Sequence, residues 1–297
     1  MHTFSFPHRV AELARQVESW GFAGLQVGDS EILNADVWME LALAAGATKR
    51  IALGPGVTNP VTRHLSVTAS CAATLQAESG GRAVLGVGRG DTALTRIGRR
   101  PVSPPELERA LVALQGYLRG EDVSLDGARS RIAWVGADAG PKVPVSVAAS
   151  GPRVIEVAAR HADRIDLAVG AEPDRLRVAI ERARRASHGG EPSLGAFLNV
   201  AVHRDRAVAR DLIRGSAGIL ATFAAPHGAR LDDDFIDRFT LAGPPDEVLE
   251  RLAVLARMGI RRLLVMPGSL DADSGAVAES NAMFADEVLP ELGGLAT

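Results

Sequence analysis

The sequence has few aromatic residues, a single cysteine and almost no lysine. Phe, Trp and Tyr make up 4% of the 297 residues, so Ala, Leu and Val must fill most of the core that a hydrophobic content of 46% predicts. Cys71 is the one cysteine, which excludes disulfide frameworks and cysteine-based zinc sites. It lies in an Ala-rich helical stretch, where we expect a small buried side chain.

Long apolar runs are also lacking, and none approaches the length that spans a membrane. The N-terminal segment does not have the form of a signal peptide. The net charge of −3, with both signs mixed along the chain, provides neither a basic surface for nucleic acid nor a polybasic patch for membranes. We therefore expect a soluble, cytoplasmic protein with no nucleic-acid or membrane partner.

Short runs rich in β-branched residues alternate with amphipathic runs of about 12–16 residues, the pattern of repeated βαβ units. The predicted strands are Thr3–Phe6, Phe22–Val27, Ile51–Leu53, Ala83–Val87, Val143–Ala148, Arg164–Val169, Leu194–Val202 and Arg262–Met266. A predicted helix follows each strand. This rhythm predicts an α/β fold, a (β/α)8 TIM barrel with loop insertions, rather than an open doubly wound sheet. No linker divides the chain, so we expect a single domain over residues 1–297.

The segment Gly120–Lys142 breaks this rhythm, because it is polar and has no clear period. We interpret it as a loop insertion that could fold over one end of the barrel. The sequence does not identify a substrate. We expect substrate choice to depend on this segment and on Arg204–Thr240, because loops carried by a rigid scaffold often bind ligands.

In a barrel of this kind the functional site lies at the C-terminal ends of the strands. Ser150-Gly151-Pro152 ends the fifth predicted strand. A small residue, a glycine and a proline at a helix start leave backbone N–H groups free beside a positive dipole end, which suits a phosphate. The alternative is an ordinary βα turn in which Ser150 caps the helix.

Alternate glycines end the fourth predicted strand, in Gly86–Asp91. They indicate a close approach of the backbone to a ligand or to a packed neighbour. They form a poor dinucleotide fingerprint, because the next helix is expected only near Pro105. Arg89 would lie at the mouth of the site, where it either holds an anionic or carbonyl group of a substrate or is an ion-paired surface residue.

Two further side chains are candidates for catalysis. Asp29 follows the second predicted strand, and it either accepts a hydrogen bond from a ligand or caps the next turn. His64 follows the third strand, and it either acts as an acid or base or is a structural hydrogen-bonding residue. His, Asp and Glu show no metal-ligand spacing, and no nucleophile motif is convincing. We therefore expect a cofactor to carry the chemistry.

These strand ends resemble the luciferase-like monooxygenase superfamily, and within it the branch that uses the deazaflavin coenzyme F420. The matching stretches are Gly21–Ser30, Gly54–Pro60 with Thr62-Arg63-His64, Ser79–Asp91, Ala149–Pro152 and Gly243–Gly259. The stretch Val57–His64 is similar to methylenetetrahydromethanopterin reductase and its relatives more than to the FMN monooxygenases.

The resemblance implies that the cofactor ring lies against a backbone bulge after the third strand, with a non-proline cis peptide at Gly56–Val57. It implies that Asp29, Asp91 and Thr92 lie beside the ring or its side chain. The complete set of implied cofactor-binding residues is Asp29, Gly56, Val57, Thr58, Asn59, Gly88, Asp91, Thr92, Ala149, Ser150, Gly151 and Pro152. Asp29, His64 and Arg89 are the candidate catalytic residues, and a homodimer is implied.

Three functions are compatible with this pattern. The first is hydride transfer between a deazaflavin and a small organic substrate. The alternative is an FMN-dependent monooxygenase that uses O2 and reduced flavin from a partner reductase. A barrel that binds a flavin without catalysis is a third, because fold alone does not fix activity.

Overall fold

Strands and helices alternate along the chain, as the sequence predicts. The computed structural model describes residues 1–30, 32–136, 140–223 and 230–295. Its strands are β1 (His2–Thr3), β2 (Gly24–Val27), β3 (Ala52–Pro55), β4 (Leu85–Val87), β5 (Val123–Leu125), β6 (Ala128–Ser130), β7 (Val145–Ala149), β8 (Arg164–Leu167), β9 (Leu194–Val202), β10 (Leu241–Gly243) and β11 (Arg262–Pro267).

The helices that follow these strands contain more residues than the strands do. They are α1 (Val10–Ser19), α2 (Val37–Ala47), α3 (Leu65–Glu78), α4 (Asp91–Arg96), α5 (Pro104–Leu118), α6 (Pro152–His161), α7 (Pro173–Ala186), α8 (Arg206–Phe223), α9 (Asp233–Phe239), α10 (Pro245–Arg257), α11 (Ser274–Met283) and α12 (Leu292–Leu295). A π-helical turn over Phe284–Val288 and a 3-10 turn over Leu289–Glu291 connect the last two helices.

The strands form a curled parallel sheet. β1, β2 and β3 pair in parallel, and β4, β7, β8, β9 and β11 pair in parallel in that spatial order, with β10 beside the second half of β9. Bridges at Leu53–Ala83 and Thr58–Val87 connect the two groups. β1 packs beside β11. The predicted α/β class with parallel strands in chain order is therefore confirmed.

Local signals fix where several helices begin. Asp36 caps α2, because its carboxylate accepts hydrogen bonds from the backbone N–H groups of Trp38 and Met39. Ser103 and Glu106 form a capping box at the start of α5. Such caps satisfy N–H groups that have no partner within the helix.

The approach of β3 to β4 depends on glycine. A Cβ atom added at Gly54 would lie 1.8 Å from the carbonyl oxygen of Val84, and one added at Gly86 would lie 2.2 Å from that of Pro55. Only a residue without a side chain fits at such distances. These glycines therefore set the spacing between β3 and β4.

Two predicted elements differ from the structure. The first strand is His2–Thr3 rather than Thr3–Phe6, because Met1 and Thr3 supply the carbonyl groups that bond to β2. A short helix, α4, begins at Asp91, so the expected gap before Pro105 is wrong. Six residues are too few to show a helical period. That gap was the reason given against a dinucleotide fingerprint. The structure excludes a Rossmann fold for a different reason, because its parallel strands follow one another in chain order.

The segment Gly120–Lys142 contains a strand pair that the sequence did not reveal. β5 and β6 form an antiparallel hairpin in which Val123 pairs with Ser130. The hairpin packs beside the end of α5, where the Tyr117 hydroxyl lies 2.8 Å from the Ser130 hydroxyl. Its residues therefore lie near the N-terminal ends of the strands. Cys71, expected to be buried, is half-buried on α3.

Candidate functional site

A cavity of about 500 Å³ lies at the C-terminal ends of the strands. Its wall includes the segments that follow β2, β3, β4, β7, β8 and β11, together with side chains of β1, β9 and the second half of α8. Phe4, Val57, Phe197, Ile219, Leu220 and Met266 supply much of its apolar surface. The position agrees with the rule that such folds bind ligands at this edge of the sheet.

Many of the predicted residues line this cavity. They are Asp29, Gly56, Val57, Gly88, Arg89, Asp91, Thr92 and Ser150. Thr58, Asn59 and Ala149 are instead buried within the wall. Gly151 and Pro152 form the start of α6 directly after Ser150. The structure thus brings the segments after four predicted strands to one place, while their binding roles remain predictions.

His64 lies apart from the side chains that line the cavity. Its Nδ1 atom accepts a hydrogen bond of 3.3 Å from the backbone N–H of Ser66 and so caps α3. The side chain is exposed. This placement favours the structural alternative for His64 over acid or base catalysis.

The Asp29 carboxylate is paired with the side chain of Arg63, which the sequence did not assign to the site. The side chain of Asp29 is 2% exposed, and its Oδ2 atom lies 2.7 Å from Nη1 of Arg63. Arg63 also contacts Asp36 at 2.9 Å. Burial disfavours the charge on Arg63, but the carboxylates of Asp29 and Asp36 more than offset this and raise its pKa. Arg63 therefore positions the Asp29 carboxylate at the cavity wall.

Arg89 is oriented by the backbone. Its Nε atom donates a hydrogen bond of 2.7 Å to the carbonyl of Val102, and its Nη1 atom lies 3.5 Å from Asp91. A third of the Arg89 side chain is exposed. Because β4 pairs with β7, Arg89 and Ser150 lie at neighbouring strand ends. Both residues line the cavity.

The N-terminus of α6 is open toward an anion. Gly151, not Ser150, is the N-cap residue, and no side chain caps the helix. Pro152 occupies the first turn, which contains no acidic residue. Free N–H groups and the helix dipole at this end favour negative charge. The alternative in which Ser150 caps the helix is therefore wrong.

The chain after β3 forms the bulge that the resemblance implied. A cis peptide joins Gly56 and Val57. The backbone of Thr58 then bonds to Gly86 and Gly88 of the β4 segment, at 3.0 Å and 2.8 Å. Thr58 Oγ1 and Asn59 Nδ2 are buried and have no hydrogen-bond partner among the described residues.

His2 is a cavity residue that the sequence did not reveal. Its Nε2 atom lies 2.5 Å from the carbonyl oxygen of Gly56, and its ring makes edge contacts with Phe4 and Phe197. Burial lowers the pKa of His2 to about 4. The signal that could have identified it is the alternation of side chains along a strand. His2 and Phe4 are two residues apart and so lie on the same face of an extended segment.

The low pKa of His2 predicts a dependence of stability on pH. Unfolded His2, with an ordinary pKa of 6.5, takes up a proton as the pH falls below 6.5, whereas folded His2 does so only near pH 4. The unfolded state binds more protons between these values, so the free energy of unfolding falls as the pH is lowered, by up to ~1.4 kcal/mol per pH unit from this group.

Urea unfolding at pH 7 and pH 5 measures this effect. We expect His2→Phe to lose less stability than the original protein between the two pH values, because it has no proton to bind. Equal losses would show that folded His2 takes up a proton in this window as readily as unfolded His2 does.

Neither a metal site nor a membrane-spanning element is found in the described ranges. No group of three or more His, Cys, Asp or Glu side chains there could hold a metal ion. No helix in this part of the chain is long and apolar enough to cross a membrane.

The cavity and the parallel strands around it define a known class of protein. The family model of the luciferase-like monooxygenases matches residues 3–262. The chain therefore belongs to the luciferase-like monooxygenase family.

A known reductase is similar in sequence to part of this chain. A 5,10-methylenetetrahydromethanopterin reductase of Methanolobus tindarius is 29% identical over 193 residues, which cover 53% of this chain and 58% of that protein. The chain thus matches little more than half the length of this relative.

Solved structures share the fold over nearly the whole chain. The coenzyme F420-dependent tetrahydromethanopterin reductase of Methanopyrus kandleri has a TM-score of 0.78 at 23% identity and covers 98% of both chains. An F420-dependent secondary alcohol dehydrogenase, in complex with an F420-acetone adduct, has a TM-score of 0.77 at 19% identity and covers 100% of both. The oxygenating component of 3,6-diketocamphane monooxygenase from Pseudomonas putida, in complex with FMN, has a TM-score of 0.71 at 19% identity and covers 95% of this chain and 92% of that one.

Proposed function

We propose that this protein is an oxidoreductase that binds the deazaflavin coenzyme F420 in the cavity and transfers a hydride between it and a small organic substrate. The observation that carries the proposal is the combination, in one cavity wall, of the Gly56–Val57 bulge and Ser150, which directly precedes the open N-terminus of α6. The sequence similarity to a methylenetetrahydromethanopterin reductase, together with the fold shared with a coenzyme F420-dependent tetrahydromethanopterin reductase, favours the deazaflavin.

The residues present fit such a cofactor. Its phosphate would be held by Ser150 and the first N–H groups of α6, with Arg89 at the neighbouring strand end. Its ring would lie against the wall at Gly56, Val57 and Gly88, where an added Cβ at Gly88 would come within 2.7 Å of Val57. The buried polar atoms of Thr58 and Asn59 that lack partners lie directly behind this wall.

In this proposal the cofactor supplies the hydride chemistry, and the chain supplies binding and orientation. The Asp29 carboxylate, held by Arg63, provides a fixed hydrogen-bond acceptor at the wall. The apolar side chains of α8 and the segment after β11 exclude water from the rest of the cavity. Of the two regions expected to determine substrate choice, only the one that contains α8 contributes lining residues within the described ranges.

A substitution at Gly151 tests the phosphate position. An Asp at this N-cap should maintain the stability of α6, because Asp is a better N-cap than Gly, and an added Cβ meets no atom within 4 Å. Its charge should repel the phosphate and weaken cofactor binding about tenfold. Fluorescence titration with coenzyme F420 and with FMN measures this.

Riboflavin, which is FMN without its phosphate, is the matched control for FMN. We expect Gly151→Asp to leave its affinity unchanged. Equal weakening of FMN and riboflavin binding would place the phosphate elsewhere. Binding of FMN at micromolar concentration with no binding of coenzyme F420 would contradict the deazaflavin proposal.

The second candidate is an FMN-dependent monooxygenase supplied with reduced flavin by a partner reductase. A specific observation supports it, because the fold also matches an FMN-bound monooxygenase component. The phosphate and ring positions proposed above suit both cofactors. Consumption of O2 that depends on reduced FMN would favour this candidate.

We also propose that the curled sheet closes into the (β/α)8 barrel. Bridges link β3 to β4, and β1 lies beside β11 at the two ends of the strand order. Closure would satisfy the edge groups that an open sheet leaves unpaired.

The homodimer is a further proposal, and an exposed apolar surface on α2 and α3 supports it. Met39 and Leu43 are 71% and 55% exposed, and Val67 on the adjacent helix is 49% exposed. Large apolar side chains exposed on neighbouring helices are typical of an interface. We expect Leu43→Glu to convert a dimer to a monomer in sedimentation velocity.

Val178→Glu is the matched control, because Val178 is 61% exposed on α7, away from this surface. It should leave the oligomeric state unchanged. A monomeric original protein would contradict the proposal.

A further inference from the structure

His2 combines burial with an unused hydrogen-bonding atom at the cavity wall. Its exposed fraction is 2%, and it lines the cavity. Nδ1 is buried and has no hydrogen-bond partner within the part of the chain that the structure describes. A buried polar atom without a partner costs stability, so its persistence indicates that something else satisfies it.

The contact between Nε2 and Gly56 determines whether Nδ1 is a donor or an acceptor. The carbonyl oxygen of Gly56 can only accept, so Nε2 carries the ring proton. The ring is neutral near pH 7, because burial holds its pKa low. Nδ1 is therefore an acceptor with an available lone pair, and its partner must be an N–H or O–H group.

The surroundings hold the ring in this orientation. Phe4 and Phe197 contact it at edge angles of 89° and 61°. A Cβ at Gly56 would come within 2.8 Å of His2 Cδ2, so a larger residue would displace the ring. Gln26, which pairs with His2 in the sheet register, contributes a second buried acceptor without a partner, Oε1. Among the side chains that line the cavity here, Nδ1 of His2 is therefore an acceptor that suits a hydrogen-bond donor.

We propose that His2 is a cofactor-binding residue whose Nδ1 atom accepts a hydrogen bond from a ring N–H group of the cofactor. The inference rests on the proposed function and adds to it a contact that selects for the ring. Flavins and deazaflavins both carry an N–H between two carbonyl groups, which is the donor that this acceptor requires. The competing occupant is a buried water molecule, which the same pair of acceptors could bind.

Three variants separate the two ring nitrogens. His2→Asn places an amide oxygen near the position of Nδ1, His2→Gln places an amide nitrogen near that of Nε2, and His2→Phe retains only the ring. Fluorescence titration with FMN and with coenzyme F420 measures the dissociation constants. We expect Gln and Phe to weaken binding about tenfold and Asn to remain within about threefold of the original protein.

A modified ligand gives a second measurement that needs no variant. The original protein should bind the cofactor that is methylated at this ring nitrogen about tenfold more weakly. His2→Phe should not distinguish the two ligands. Retained affinity in the Gln variant with loss in the Asn variant would show that only the Gly56 contact matters, and would overturn the inference.

Equal affinities for the original protein and the Gln and Phe variants would assign the site to water and also overturn it. These results are distinguishable from failure of the proposed function. If the original protein binds neither cofactor, the proposed function is wrong and the inference falls with it. If it binds one cofactor and the variants show no such order, the inference alone is wrong.

Discussion

Replacing Gly54 with Ala is expected to lower the free energy of unfolding by about 3–5 kcal/mol. The added Cβ would lie 1.8 Å from the carbonyl oxygen of Val84 and 2.9 Å from its carbonyl carbon. These are backbone atoms, so no rotation of a side chain can relieve the overlap. β3 and β4 must move apart, and the bridge between Leu53 and Ala83 lies beside this point.

The same displacement should weaken ligand binding. Gly56 and Gly88, which line the cavity, lie two residues beyond Gly54 and Gly86, the closest points of the two strands. Urea unfolding followed by circular dichroism measures stability, and cofactor titration of the folded fraction measures binding. Loss of stability without loss of affinity would show that the cavity tolerates a shift of β3.

Gly46→Ala is the matched control. Gly46 lies within α2, where an added Cβ would meet no atom within 4 Å. Ala is favoured over Gly in a helix, so this variant should be unchanged or more stable by ~0.5–1 kcal/mol. If Gly54→Ala differs from the original protein by less than this, the close approach of β3 to β4 is not required.

The order of elements was predictable because each depends on local periodicity. Leu194–Val202, a long run of apolar residues, was predicted with the correct bounds. β10, β5 and β6 were missed, because three residues provide too little pattern to separate a strand from a loop. The parallel order then followed from the βα rhythm. The alternate glycines of Gly86–Asp91 indicated a close approach of the backbone, but the sequence did not show that the neighbour at Gly86 is the backbone of β3.

The cavity was predictable only in part, for a related reason. Asp29, Arg89 and Ser150 follow strands, and parallel strands place their C-terminal ends together. His64 also follows a strand, but the chain has already turned into α3, where the side chain caps the helix. His2 lies within β1 rather than after it. Its place in the cavity could be predicted only by knowing which face of β1 points inward. Arg63 contacts Asp29 across 34 residues of sequence, a distance at which spacing gives no signal.

Replacing Arg63 with Met is expected to lower the free energy of unfolding by about 3 kcal/mol, near the lower end for a broken buried ion pair. The Asp29 side chain is 2% exposed, and it would lose the cation that lies 2.7 Å away. A buried carboxylate without its cation is costly because water no longer solvates it. Arg63 is itself 16% exposed and Asp36 is 46% exposed. The contact between Arg63 and Asp36 therefore adds little to the free energy of unfolding.

A second substitution separates the cost of the charge from the loss of packing. Asp29→Asn in the Arg63→Met background removes the uncompensated charge, so the double variant should be more stable than Arg63→Met alone by ~1 kcal/mol or more. Arg100→Met is the matched control, because Arg100 is 70% exposed beside Glu106 and exposed pairs contribute little. Urea unfolding of the four proteins gives each difference directly.

If Arg63→Met behaves like Arg100→Met, the ion pair does not stabilise the cavity wall, and the Asp29 carboxylate is solvated or protonated in the folded protein. If the double variant is no more stable than the single one, the loss comes from the packing of the Arg63 side chain rather than from the charge it balances.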